Sequence, residues 1–206
     1  MASRDPAVTT ETEICNMALG LIGSKRLTAL AADNSVEAIH CRLHYYQARD
    51  VLLRSHIWSF AITRKTLSEH FTPSSEFGYG FVLPDDFLRM KEGYDLAIND
   101  SKPFFIESNS TGKLSILTDD RTVSLVYIRQ VTDVAQFDPL FVDLLVYTLA
   151  MRLLFPLAGT SATSLSMRKI LLEELERLWR RYRAVNRQEQ TDTGKSYWND
   201  AREAEG

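Results

Sequence analysis

The 206 residues are 45% hydrophobic and 25% charged, ordinary proportions for a globular chain, and they exclude wholesale disorder. That length suffices for one core, or for one helical body with a smaller insert. With 24 basic and 27 acidic residues the formal net charge is −3, so the whole chain has no general pull toward nucleic acid and only local patches matter. Cys15 and Cys41 lie in helix-like stretches with no CxxC pair, so reduced, buried thiols are expected. The start, MASRDPAVTTETE, has no apolar run of signal type, so no secretory signal is expected. Leu140 to Leu157 is the most apolar stretch, but Asp143 and Arg152 interrupt it, which favours a buried helix over a membrane span.

The first helix begins near Thr10, whose spacing to Glu13 is that of a capping box. Ile14, Met17, Ala18, Leu21 and Ile22 form its apolar stripe, and Gly23 is the stop. A second helix opens after Asp33-Asn34, with Asn34 and Glu37 again at capping-box spacing. Its stripe reads Ile39, Leu43, Tyr46, Leu53 and Ile57, and Asp50 on the same seam is expected to meet an arginine across a helix interface.

From Trp58 the helical period fades, and SEHFTPSSEFGYG (68–80) reads as a loop. Short strand-like segments follow at Phe81 to Leu83, Phe104 to Glu107 and Lys113 to Leu117. The last two flank Ser108-Asn109-Ser110-Thr111-Gly112, a hairpin loop by composition. Thr122 to Arg129 has apolar residues on both faces, as in a strand buried on two sides. Asp138-Pro139 then starts a helix through Phe155 that is apolar almost all round and should be central, ended by Pro156 and Gly159.

The final helix runs from about Ser164 to Gln188, about 37 Å at 1.5 Å per residue. Leu171, Leu175, Leu178, Tyr182 and Val185 form a heptad seam, with Glu173–Arg177 and Glu176–Arg180 as i,i+4 pairs. Thr191 to Gly206 is polar without period. The fold class expected is α+β: a mainly α-helical bundle with a small antiparallel β insert (hairpin) and an extended C-terminal tail. The helical body takes 8–67 and 136–189, the insert 68–135 and the tail 190–206.

No constellation for chemistry stands out. His40 and His44 have i,i+4 spacing suited to one metal, but HExxH is absent and no third ligand sits at a telling distance, so two ordinary surface histidines are expected. His56 and His70 are isolated. Ser110-Thr111-Gly112-Lys113 has the look of a phosphate-loop end, yet Glu107 and Leu114 break the motif and it lies between strands. The carboxylate pairs Asp85-Asp86 and Asp119-Asp120 would have to converge to serve a cell-wall hydrolase, and solvated turn residues are the simpler reading. Arg177, Arg180, Arg181, Arg183 and Arg187 crowd the end of the last helix. Cations favour that terminus, and the surplus is suited to an acidic partner or to DNA phosphates, which would also fit a DNA-binding accessory.

The order of segments carries more than any one of them. EICNMALGLIGSKRLTAL precedes a helix ending RDVLLRSHIWSFA; then come FGYGFVLPDDFLRM, a hairpin, VSLVYIRQVTD, FVDLLVYTLAMRLLFPLAGT, a long charged helix and SYWNDAR. Over roughly residues 8 to 202 this resembles the tail tubular protein A family of podophages, the head-to-tail adaptors. The resemblance implies a structural virion protein of the neck, assembled in the host cytoplasm, with no reaction, cofactor or metal and no membrane contact. It implies a homo-dodecameric ring between portal protein and tail nozzle protein, with viral DNA passing through the channel in non-specific contact. It implies portal binding by the C-terminal segment, here through Tyr197, Trp198 and Arg202. On the same footing the Ser108–Gly112 loop would face the nozzle, and Arg177 to Arg187 would line a subunit or DNA-channel face.

Overall fold

The computed structural model describes residues 10–68, 70–73, 76–91 and 104–189. It is an α+β fold of four helices and two small antiparallel sheets.

Helix α1 (Glu11–Leu21) starts on the expected capping box: Glu13 N–H donates to Thr10 Oγ1 at 3.2 Å and Thr10 N–H to the Glu13 carboxylate at 2.7 Å. Gly23, at φ +71°, turns the chain out, and Ser24 N–H closes the helix end on Leu19 O at 2.9 Å. Helix α2 (Val36–Ser55) is capped by Ser35 rather than Asn34. Ser35 Oγ accepts from Ala38 N–H, while Asp33 accepts from Ser35 N–H at 2.8 Å and from Thr28 N–H at 3.1 Å. Those hydrogen bonds, first among them the Ser35 amide, hold the Asp33 carboxyl down at about 2.

After a 3₁₀ turn at Ser59–Ala61 the chain enters strand β1 (Ile62–Leu67). The expected helical body reached residue 67, but these six residues pair with β6 (Val123–Arg129) from Ile62↔Ile128 to Leu67↔Val123 and belong to the sheet. Strand β3 (Phe87–Met90), unforeseen in the sequence, takes the other edge of β6. The second sheet has β5 (Leu114–Thr118) between β2 (Tyr79–Val82) and β4 (Phe105–Ser108). β6 is buried on both sides, as its composition required: Val123, Leu125 and Tyr127 join Phe81, Leu83 and Ile116 in a core between the sheets, while Ile128 joins the helical core.

Helix α3 (Pro139–Ala158) opens on Asp138, whose Oδ1 accepts from Leu140 N–H at 2.7 Å, with Pro139 in the first turn. It packs against α1, α2 and α4 (Ala162–Glu189). By length and apolar composition α3 could cross a membrane, but Phe141, Leu144, Leu145, Leu149 and Leu153 are fully buried inside the fold. Pro156 does not end it. The helix runs one further turn to Gly159, at φ +68°, whose N–H reaches Phe155 O at 3.0 Å. The heptad seam of α4 faces inward: Leu171 and Tyr182 are buried, and Leu175 and Leu178 pack on the helical core. Trp58 anchors that end, 1% exposed, with its ring 4.1 Å from Tyr182 and 4.9 Å from Phe141 and its indole N–H on Leu52 O.

Candidate functional site

Helix α2 carries two apolar seams. Ala38, Cys41, Tyr45, Ala48 and Leu52 lie at i, i+3, i+7, i+10 and i+14, and all are buried. Val36, Ile39, Leu43 and Tyr46 lie on the opposite side and are 60, 52, 65 and 44% exposed. The sequence reading placed Ile39, Leu43 and Tyr46 inside; the structure puts them outside. The inner face alternates small side chains at 38, 41 and 48 with the buried Tyr45 and Leu52. Cys41 meets Cys15 of α1 there, and that hydrogen bond together with burial pushes the Cys15 thiol up. Leu53 and the partly buried Ile57 do join the core.

The outer seam is apolar and uncharged along its length. Arg42 is turned to the Leu30 and Asp33 carbonyls at 2.7 and 2.6 Å. Tyr46 borders α1, its hydroxyl donating to the Glu11 carboxylate at 3.3 Å. Asp50 closes the C-terminal end. It accepts from Arg49 Nε at 2.8 Å and from Gln130 Nε2 at 2.7 Å, so its arginine comes from the preceding residue of its own helix and not from across an interface. Arg49 is buried and sits 5.5 Å over the Tyr46 ring. His40 and His44 stack at 6.4 Å on the side of α2 nearer α3, where burial, Arg152 and His40 hold His44 below its ordinary value. No group of three or more metal-ligating side chains occurs among the described residues.

The arginines of α4 fall on two flanks. Arg180 and Arg183 line a cleft at the end of α2, and Arg180 pairs with Glu176 at 3.7 Å. Arg177 and Arg181 lie on the other flank. Arg177 pairs with Glu174 at 3.1 Å rather than with Glu173. Burial pushes the Asp143 carboxyl of α3 above its ordinary value, with Arg181 opposing that rise. The side chain of Arg187 lies outside the described residues, as do Tyr197, Trp198 and Arg202 with the whole 190–206 segment.

The Ser108–Gly112 loop is an exposed hairpin turn. Asn109 Oδ1 accepts from Thr111 N–H, Thr111 Oγ1 and Lys113 N–H at 3.0, 2.7 and 2.9 Å, and Gly112 supplies φ +77°. It therefore has no helix end on which to cradle a phosphate. The two aspartate pairs sit apart. Asp119 accepts from Gly78 N–H at one end of the β2–β5 ladder, and Asp85 lies 4.0 Å from Lys113 at the other. About 13 Å of strand separates them, and Asp86 is occupied by the Tyr127 hydroxyl at 2.9 Å. This geometry does not bring the pairs together in one hydrolytic cleft. No protein-family model matches the chain, and no curated protein matches it.

Proposed function

We propose that this chain is a structural adaptor of a short-tailed phage, a mainly helical bundle with a β insert and an extended tail, that assembles into a ring through the outer face of α2. The observation that carries this reading is the Val36–Ile39–Leu43–Tyr46 seam: four large apolar side chains, uncovered, contiguous and without a charge among them. Depletion of charge at the centre of a patch is the compositional mark of a protein interface, and a free monomer gains nothing from leaving such a stripe in water. A closed ring needs a second, different face on each subunit, and Leu165 and Leu172 on α4 are exposed at the same seven-residue spacing as Val36 and Leu43.

On this reading the subunit catalyses no reaction. Twelve copies form the ring in the virion neck, between portal and nozzle. The Ser108–Gly112 loop faces the nozzle, Tyr197, Trp198 and Arg202 engage the portal, and DNA passes through without sequence-specific contact. The test is the mass of the purified chain, alone and with portal protein, for the native sequence and for I39D/L43D. The native chain forms rings alone or on the portal, and the variant stays folded and monomeric. A native chain that never leaves the monomer and never binds portal would sink the proposal, as would rings that form equally well with both aspartates in place.

A further inference from the structure

The C-terminal half of α4 passes the end of α2 and leaves a cleft of about 390 Å³, lined by Ser55, His56, Glu176, Trp179, Arg180 and Arg183. His56 is fixed within an aromatic box, its ring edge-on to Trp58, Trp179 and Tyr182 at 6.0, 5.8 and 4.7 Å. Its Nε2 is buried without a hydrogen-bond partner among the described residues. Arg180 and Arg183 are three residues apart and so share one flank of α4. The contact from Arg180 to Glu176 is a long 3.7 Å, and Arg183 makes no ion pair among the described residues. The cleft thus holds more positive than negative charge against a low-dielectric aromatic wall, which focuses the potential.

We propose that this cleft binds a phosphate group, gripped by the Arg180 and Arg183 guanidiniums with the His56 imidazole as a further donor. Guanidinium forks match the oxygen spacing of phosphate, and a dianion would cancel the local excess of charge. The charged groups facing His56 are Arg89 from β3 and Glu176, Arg180 and Arg183 from α4, while Arg54 on α2 donates to the Leu88 carbonyl. Burial first, then Arg183 and Arg89, holds the imidazole below its ordinary value. A bound phosphate reverses the sign of that local field and raises the titration midpoint of His56. The phosphate has two possible sources, a DNA backbone or a small free phosphate.

The experiment follows the His56 ring signals of the full chain by NMR across pH, assigned by their loss in H56Q. Three additions are compared at matched ionic strength: inorganic phosphate, a short DNA duplex and sodium chloride. The expected result is an upward shift of the midpoint with phosphate, duplex or both, and none with chloride. R183A, at an exposed position, should bind about tenfold more weakly, the size expected for one charge-assisted contact. A response to duplex alone assigns the site to the DNA backbone, and a response to phosphate assigns it to free phosphate chemistry as well. No shift with either, an equal shift with chloride, or undiminished binding by R183A overturns the proposal. None of these outcomes bears on ring formation, which is read from mass and rests on α2.

Discussion

Tyr182, near the end of α4, donates its phenolic hydroxyl to the backbone carbonyl of Ile57 at 2.9 Å, across 125 residues of sequence. The same ring packs on Trp58 and His56, so one side chain ties the last helix to the turn that follows α2. Removing the hydroxyl alone, as Y182F, leaves the Ile57 carbonyl without its phenolic donor and should cost about 1 kcal/mol. Y182A also empties a buried aromatic position and should cost about 3 kcal/mol or more. Urea denaturation separates the two, and equal losses would mean that the hydrogen bond and not the ring holds the joint.

The two faces of α2 should respond unequally to changes of size. A48L forces a larger side chain into a fully buried position and should destabilise by about 1 to 3 kcal/mol. L43A trims an exposed side chain and should change monomer stability by no more than about 0.5 kcal/mol. Thermal melts of both variants check the assignment, and a larger loss from L43A would place the core on the wrong face.

Gly80 has a neighbour that explains it. A Cβ built at this position would lie 2.4 to 2.8 Å from three atoms of the Phe71 ring, which lies on the β2 backbone. G80A should therefore be destabilising by about 1 to 3 kcal/mol, the usual cost of overpacking. F71A should cost stability as well, and G80A should cost little in that background. A double-mutant cycle by denaturation gives the coupling, and simple additivity would show that the ring moves aside without cost.

His44 and His56 set a pH dependence with a definite sign. Both have folded values below the ordinary histidine value, so near and below pH about 6.5 the unfolded chain binds more protons than the folded one. Stability is then complete above that pH and falls as pH drops through the window down to the folded values. The slope should flatten in H56Q when measured by denaturation from pH 7.5 to 5. Without added phosphate, stability that rises on acidification through this window would contradict the placement of His56.

Much of the fold was legible because it is local. Thr10 and Glu13 satisfy each other's backbone across three residues, Asp138-Pro139 starts α3 by the same short-range logic, and Asn109 with Gly112 makes the hairpin turn wherever it sits. The buried seam of α4 and the two-sided burial of β6 were legible too, since their apolar patterns admit one reading. β1 and β3 were not: Ile62–Leu67 and Phe87–Met90 become strands because β6 offers both of its edges to them. Of the candidate site, the sequence alone determined that α2 carries an apolar stripe along Ile39, Leu43 and Tyr46. It could not decide which side of the helix lies inside, because Ala38, Cys41, Tyr45, Ala48 and Leu52 repeat with an equal helical period. Only the tertiary structure chose: α2 packs chiefly on α3 and buries the Ala38–Leu52 seam, and the Ile39–Tyr46 seam is left facing water because no other element of the described residues covers it.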